Sequence, residues 1–155
     1  MTDFVALVSA MGAGLIGGVF FGFSAFIMKA LAQLPPGQGV AAMQRINVVV
    51  LNPLFLGVFL GTTLLALAAF ILAFLPWSAP RSPLLVAAAA LYVVGCFGVT
   101  VAFNVPRNER LARLADSPEA LAYWPAYVRE WLRWNHVRTA AATLAAALFA
   151  AGWGC

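Results

Sequence analysis

The sequence predicts an all-α fold, an integral membrane four-helix bundle, and three observations carry the prediction. Hydrophobic residues fill 64% of the 155 positions and charged residues only 9%, against about 25% charged in an ordinary soluble domain. The apolar residues fall in runs of the length needed to cross a bilayer core, about 20 helical residues. Almost all of the polar chemistry gathers beside one set of run ends. A soluble chain this apolar would expose patches large enough to aggregate.

The elements follow in order within one transmembrane domain, residues 1–155. Phe4 to Met28 is an uncharged run up to Lys29 and predicts a first helix over 4–28. Met1, Thr2 and Asp3 lack the positive n-region of a cleaved leader, so this helix is expected to be retained. Leu34-Pro35-Pro36-Gly37 is a helix-breaking loop. A second helix is expected over 40–75, stopped by Pro76. From Ile46 to Leu75 it would measure about 45 Å against a core of about 30 Å, so its first turns should project or bend, with Pro53 as the place for the bend. Ser78 to Pro83 reads as a tight turn, and a third helix follows over 84–104, ended by Asn104-Val105-Pro106. The polar connection spans 105–124. Within it Ser117-Pro118-Glu119 has the form of a helix start: hydroxyl cap, proline at the first helical position, acid in the first turn. The fourth helix is expected over 125–153, apolar enough for the bilayer core only from about Val137.

Charge sets the expected orientation. Lys29, Arg45, Arg107, Arg110, Arg113, Arg129, Arg133 and Arg138 flank one set of span ends, and Arg81 alone flanks the other. Basic residues concentrate on the cytoplasmic side, which places both chain ends outside the cell inner membrane and the polar face in the cytoplasm. The net charge of +4 is explained by this topology, and no basic patch stands apart from the spans to suggest nucleic acid.

Gly14, Gly18 and Gly22, with Gly12 and Gly17 beside them, and Gly57 and Gly61 read first as close helix packing. The alternative is a flat slot for a planar ring, lined by Phe20, Phe21, Phe23 and Phe26. Cys96 and Cys155 have no paired metal or redox spacing.

Polar side chains near membrane depth are costly and therefore informative. Gln44, Arg45, Asn47 and Asn52 open the second helix, Asn104 ends the third, and Asn108 follows. The fourth enters as Trp131-Leu132-Arg133-Trp134-Asn135-His136-Val137-Arg138-Thr139. Trp131, Asn135 and Arg138 are spaced i, i+4, i+7 and form one stripe, whereas His136 lies about 100° away from Asn135 around the axis. Trp131 and Trp134 also suit an interfacial belt, Arg133 a snorkelling topology residue, and Asn47 and Asn52 interhelical hydrogen bonding. One histidine cannot make a structural zinc site of about four ligands. His136 is instead the side chain that titrates near neutrality, a candidate for proton transfer, or the axial ligand of a haem.

Four phrases, GGVFFGFSAFIMKAL (17–31), AMQRINVVVLNPLF (42–55), NVPRNERLA (104–112) and WLRWNHVRTAAA (131–142), resemble the anthrone oxygenase-like family of small four-helix membrane proteins, in order and over essentially the whole chain. The resemblance implies oxidation of a small hydrophobic aromatic of the anthrone type with molecular oxygen, with no metal or flavin cofactor. Such chemistry needs a base, donors for a developing oxyanion and a dry apolar slot. His136 is then the expected base, with Arg138, Asn135 and Asn104 as donors and Asn47, Asn52 and Asn108 as further polar contacts. Trp131, Trp134, Phe23 and Tyr127 would stack on the rings. The same residues would serve a non-catalytic carrier of a hydrophobic metabolite or quinone, and the glycine faces would serve a structural membrane subunit. The expected partners are the lipid bilayer and the aromatic ligand, with homo-oligomers compatible with either.

Overall fold

The computed structural model describes residues 1–75, 81–115 and 117–153. Among them the chain is helical, in five helices: α1 (Thr2–Gln33), α2 (Pro36–Val49), α3 (Pro53–Leu72), α4 (Arg81–Leu114) and α5 (Pro118–Trp153). The membrane helix bundle stands, with one helix more than expected. Three helices, α1, α3 and α4, are long and apolar enough to cross a membrane. α5, whose first half is charged, packs its apolar half alongside them.

The extra helix comes from residues 40–75. The chain does not merely bend before Pro53; it breaks. Asn52 leaves the helical region at φ −95°, ψ 159°, its Oδ1 accepts from the Phe55 amide at 3.0 Å, and its Nδ2 donates to the Val49 carbonyl at 3.0 Å. Asparagine cap followed by proline at the first helical position is a strong start signal, so α3 begins afresh. The short α2 also has proline at its first position, Pro36, but no side-chain cap, and it follows Leu34, which turns extended ahead of the prolines.

Two other boundaries move. α4 runs past Pro106 to Leu114, replacing an irregular connection with helix. Its π-helical turns, Leu91–Gly98 and Thr100–Asn104, loosen the hydrogen-bond ladder ahead of a proline that has no N–H to contribute. α5 begins at Pro118, with Ser117 Oγ accepting from the Ala120 amide at 3.3 Å, and carries Pro125 inside it. Residues 78–80 of the turn expected over 78–83 lie outside the described residues, as do Pro76 and Cys155, and Arg81 to Pro83 form the first turn of α4.

α1, α3, α4 and α5 form a ring, α1 against α3 and α5, and α4 closing it from the other side. Their core is small-residue rich, with Ala6, Ala13, Ala66, Ala88, Ala142 and Ala145 around Ile16, Phe20, Tyr92 and Phe149. Close approach falls at positions other than the four-spaced glycine ridge. A Cβ on Gly95 would sit 2.7 Å from Ala141 Cβ, and one on Gly12 2.0 Å from Thr62 Oγ1, whereas Gly18, Gly57 and Gly61 meet nothing within 4 Å among the described residues. At one end of the ring α2 folds across α1, α4 and α5 over a second core of Met28, Met43, Leu111, Trp124, Tyr127 and Trp131. An ion pair between Asp3 and Arg81 ties α1 to α4 at the other end.

Candidate functional site

The stripe on α5 becomes the floor of the site. Trp131, Asn135 and Arg138 are 3%, 0% and 5% exposed. Asn135 is a junction: its Nδ2 donates to the Phe20 carbonyl at 2.8 Å and to Ser24 Oγ at 2.7 Å, and its Oδ1 accepts from Arg138 Nε at 2.9 Å. A guanidinium can only donate, so this pairing fixes the orientation of the amide. Arg138 Nη1 reaches Thr100 Oγ1 at 3.4 Å, while the Thr100 hydroxyl donates to the Cys96 carbonyl at 2.8 Å.

The guanidinium lies between two rings, 3.8 Å from the Phe20 centroid and 4.8 Å from that of Trp131. Among the described residues no carboxylate pairs with it. A buried cation without an anion carries a desolvation penalty of several kcal/mol (order of magnitude), which ring faces and neutral oxygens offset only in part. A ligand oxyanion would supply the missing partner.

Arg138 faces a cavity of about 480 Å³ bounded by all five helices, within the range of small-molecule sites, ~300–1,000 Å³. Its walls are Phe20, Phe23, Phe55, Phe59, Phe97 and Trp131 with aliphatic side chains between them, and its polar lining is Gln44, Asn47, Thr100, Asn108, Glu109 and Arg138. On one side the lining includes Val48, Leu51, Leu60, Val101 and Val105, which are also exposed on the outer surface. The cavity therefore opens laterally, where the first turns of α3 stand away from the polar end of α4.

Of the residues singled out in the sequence, Arg138, Asn47, Asn108, Trp131 and Phe23 line this cavity. Asn135 orients Arg138 from behind. Asn104 is buried and donates through Nδ2 to the Trp131 carbonyl at 3.2 Å, bracing α5 against α4. Tyr127 is buried beneath the site, its hydroxyl donating to Asn108 Oδ1 at 2.9 Å. Asn52 caps α3, and Trp134 stacks on Phe103 at 3.6 Å away from the cavity.

His136, expected to supply the base, is exposed on the outer face, as its 100° offset from Asn135 allows. Its Nδ1 lies 3.0 Å from Ser24 Oγ, which also lies 3.1 Å from Thr139 Oγ1. Its hydrogen-bonded link to Arg138 runs through Ser24 and Asn135. Of the slot-lining phenylalanines, Phe20 and Phe23 line the cavity, while Phe21 and Phe26 face outward.

Sequence reasoning passed over Ser24, Thr100 and Glu109. Ser24 is the single hydroxyl in a phenylalanine-rich run, which was a usable signal. Glu109 lies on an amphipathic turn with its side chain 62% exposed and 3.9 Å from Arg113, yet it borders the cavity. No His, Cys, Asp and Glu cluster of metal-binding geometry occurs among the described residues.

Fold and site define a small helical membrane protein that encloses a laterally open aromatic cavity with a buried cation in its wall. The chain belongs to the anthrone oxygenase family, whose family model matches residues 52–148. The match covers α3, α4 and most of α5, including Thr100, Asn108, Glu109, Trp131, Asn135 and Arg138, while Phe20, Ser24, Gln44 and Asn47 precede it. No curated protein and no solved structure matches the chain.

Proposed function

We propose that this protein is a cofactor-independent oxygenase that converts a small polycyclic ketone of the anthrone type to the corresponding quinone with molecular oxygen. The observation that carries the reading is Arg138: a buried guanidinium with no carboxylate partner among the described residues, gripped by Asn135 and flanked by two aromatic faces, on an apolar cavity of ligand size.

The substrate carbonyl would face Arg138. Loss of a proton from the methylene opposite places the negative charge on that carbonyl oxygen, where a preorganised cation in a dry site is most effective. We assign the proton to Glu109, the carboxylate that borders the cavity, in preference to His136 on the outer face. The carbanion passes one electron to oxygen, and the radical pair combines to a carbon-bound peroxide, which takes a proton. Removal of the second methylene proton then forms the new carbonyl as the O–O bond breaks and hydroxide leaves, to become water. One oxygen atom ends in the quinone and one in water. A haem on His136 receives less support, because the ring is exposed on the outer face and does not line the cavity.

The lateral opening between α3 and α4, rimmed by exposed valines and leucines, suits an apolar substrate arriving from the bilayer. The concentration of Lys and Arg at the same end as the cavity supports a site on the cytoplasmic side of the inner membrane.

The test is turnover. Purified protein in lipid nanodiscs, given anthrone in air, should form anthraquinone faster than protein-free nanodiscs do. Retention of unchanged anthrone at the background rate would instead indicate a carrier.

A further inference from the structure

A second polar pole lies on the far side of Trp131 from Arg138. The Trp131 indole presents its ring to the guanidinium at 4.8 Å, while its Nε1 donates to Asn108 Oδ1 at 2.9 Å. Tyr127 also donates to that oxygen, at 2.9 Å. An indole nitrogen can only donate, so the Asn108 amide cannot be flipped, and both acceptor sites of Oδ1 are filled. Its Nδ2 is left with no protein acceptor among the described residues. Asn47 lines the same cavity, its side chain close enough to the Tyr127 phenol to act on it, yet its buried Nδ2 makes no hydrogen bond of good geometry among the described residues. Gln44, one turn earlier on α2, donates to the Leu111 and Ala115 carbonyls at 2.9 and 3.1 Å. That clamp holds α2, and hence Asn47, against α4.

We infer that Asn47 and Asn108 form a donor subsite for a second carbonyl oxygen, so that the cavity is matched at both poles to a quinone-type ligand. This rests on the oxygenase reading for its role in the reaction. The buried, unpaired N–H of Asn47 is costly, and a methylene group at this pole offers no acceptor to it or to Asn108 Nδ2. The peroxide oxygen and the new carbonyl do. The two amides would therefore gain their acceptor as the carbon–oxygen bond forms, so they would hold the transition state for oxygen addition more tightly than the bound substrate, and such differential binding accelerates a step. Arg138 would act on the carbonyl present throughout.

The experiment is equilibrium binding in lipid nanodiscs under argon, followed by quenching of tryptophan fluorescence, with anthrone and 9,10-anthraquinone as the two probes. The wild type should bind the quinone about threefold to tenfold more tightly than the anthrone, the worth of one or two net hydrogen bonds. Asn47→Leu should bring the two affinities together. Arg138→Gln should weaken both and preserve their ratio. Asn108→Leu should also abolish the preference, and Asn47→Leu keeps the experiment decisive if loss of the Tyr127 and Trp131 acceptor unfolds that variant. Equal affinities in the wild type, or a preference that survives both asparagine substitutions, would overturn the subsite. Absence of turnover in air with the preference intact would overturn the oxygenase reading alone and leave the donor subsite standing.

Discussion

Replacing Arg138 by glutamine separates the electrostatic role of the guanidinium from its structural one. In the wild type Arg138 makes one good hydrogen bond, Nε to Asn135 Oδ1 at 2.9 Å, and one long one, to Thr100 at 3.4 Å. Its removal leaves Asn135 Oδ1 at worst unpaired, at a cost of about 1–3 kcal/mol. The same change relieves the desolvation of a buried cation, which is worth several kcal/mol in the opposite direction (order of magnitude). The two effects largely cancel, so the variant should fold with a stability within about 2 kcal/mol of wild type. Catalysis has no such compensation, because loss of an oxyanion donor in a dry site costs about 10²–10³ in rate. The assay is quinone formation and oxygen uptake in nanodiscs, with thermal unfolding followed in parallel. Unchanged turnover in Arg138→Gln would refute the oxyanion role, and a collapse of stability matching the loss of rate would make the arginine structural.

Other substitutions sort the surrounding residues. Glu109→Gln should lower turnover by about 10²-fold, the worth of a general base, while leaving anthrone affinity under argon near wild type. His136→Ala should stay within about threefold of wild type, far short of a general-base effect; a larger loss would return the proton transfer to the histidine through Ser24. Asn52→Ala should cost about 1 kcal/mol of stability by uncapping α3 and leave the affinity for anthrone unchanged. Gly95→Ala should push α4 from α5, since the new methyl would meet Ala141 Cβ at 2.7 Å, lowering stability by about 1–3 kcal/mol as read from thermal unfolding.

The bundle was legible because its cause is compositional. Long uncharged runs between proline breaks can satisfy their backbone within a bilayer only as helices. The stripe of Trp131, Asn135 and Arg138 was legible too, since i, i+4, i+7 spacing forces a shared face whatever packs against it. Spacing equally placed His136 off that face, and residue type alone made it attractive as the base. Glu109 was hidden because its exposure is genuine; only the position of α2 across the end of the bundle makes it part of a cavity rim. The break at Asn52 carried its own signal in the Asn-Pro pair, but hydropathy across residues 46–75 argued for one continuous helix, and the local cap prevailed. The donor pole could not be read in advance, because it depends on which atoms of Asn108 are already engaged, and that is set by Tyr127 and Trp131 from another helix.

Single-turnover oxidation of anthrone by the protein in nanodiscs under ¹⁸O₂, with oxygen uptake and product mass recorded together, tests the central claim most directly. The account predicts one oxygen consumed per quinone, one labelled atom in the new carbonyl, labelled water, and a rate above the protein-free background that falls in Arg138→Gln. Anthrone recovered unchanged at the background rate, or hydrogen peroxide released in place of labelled quinone, would contradict it.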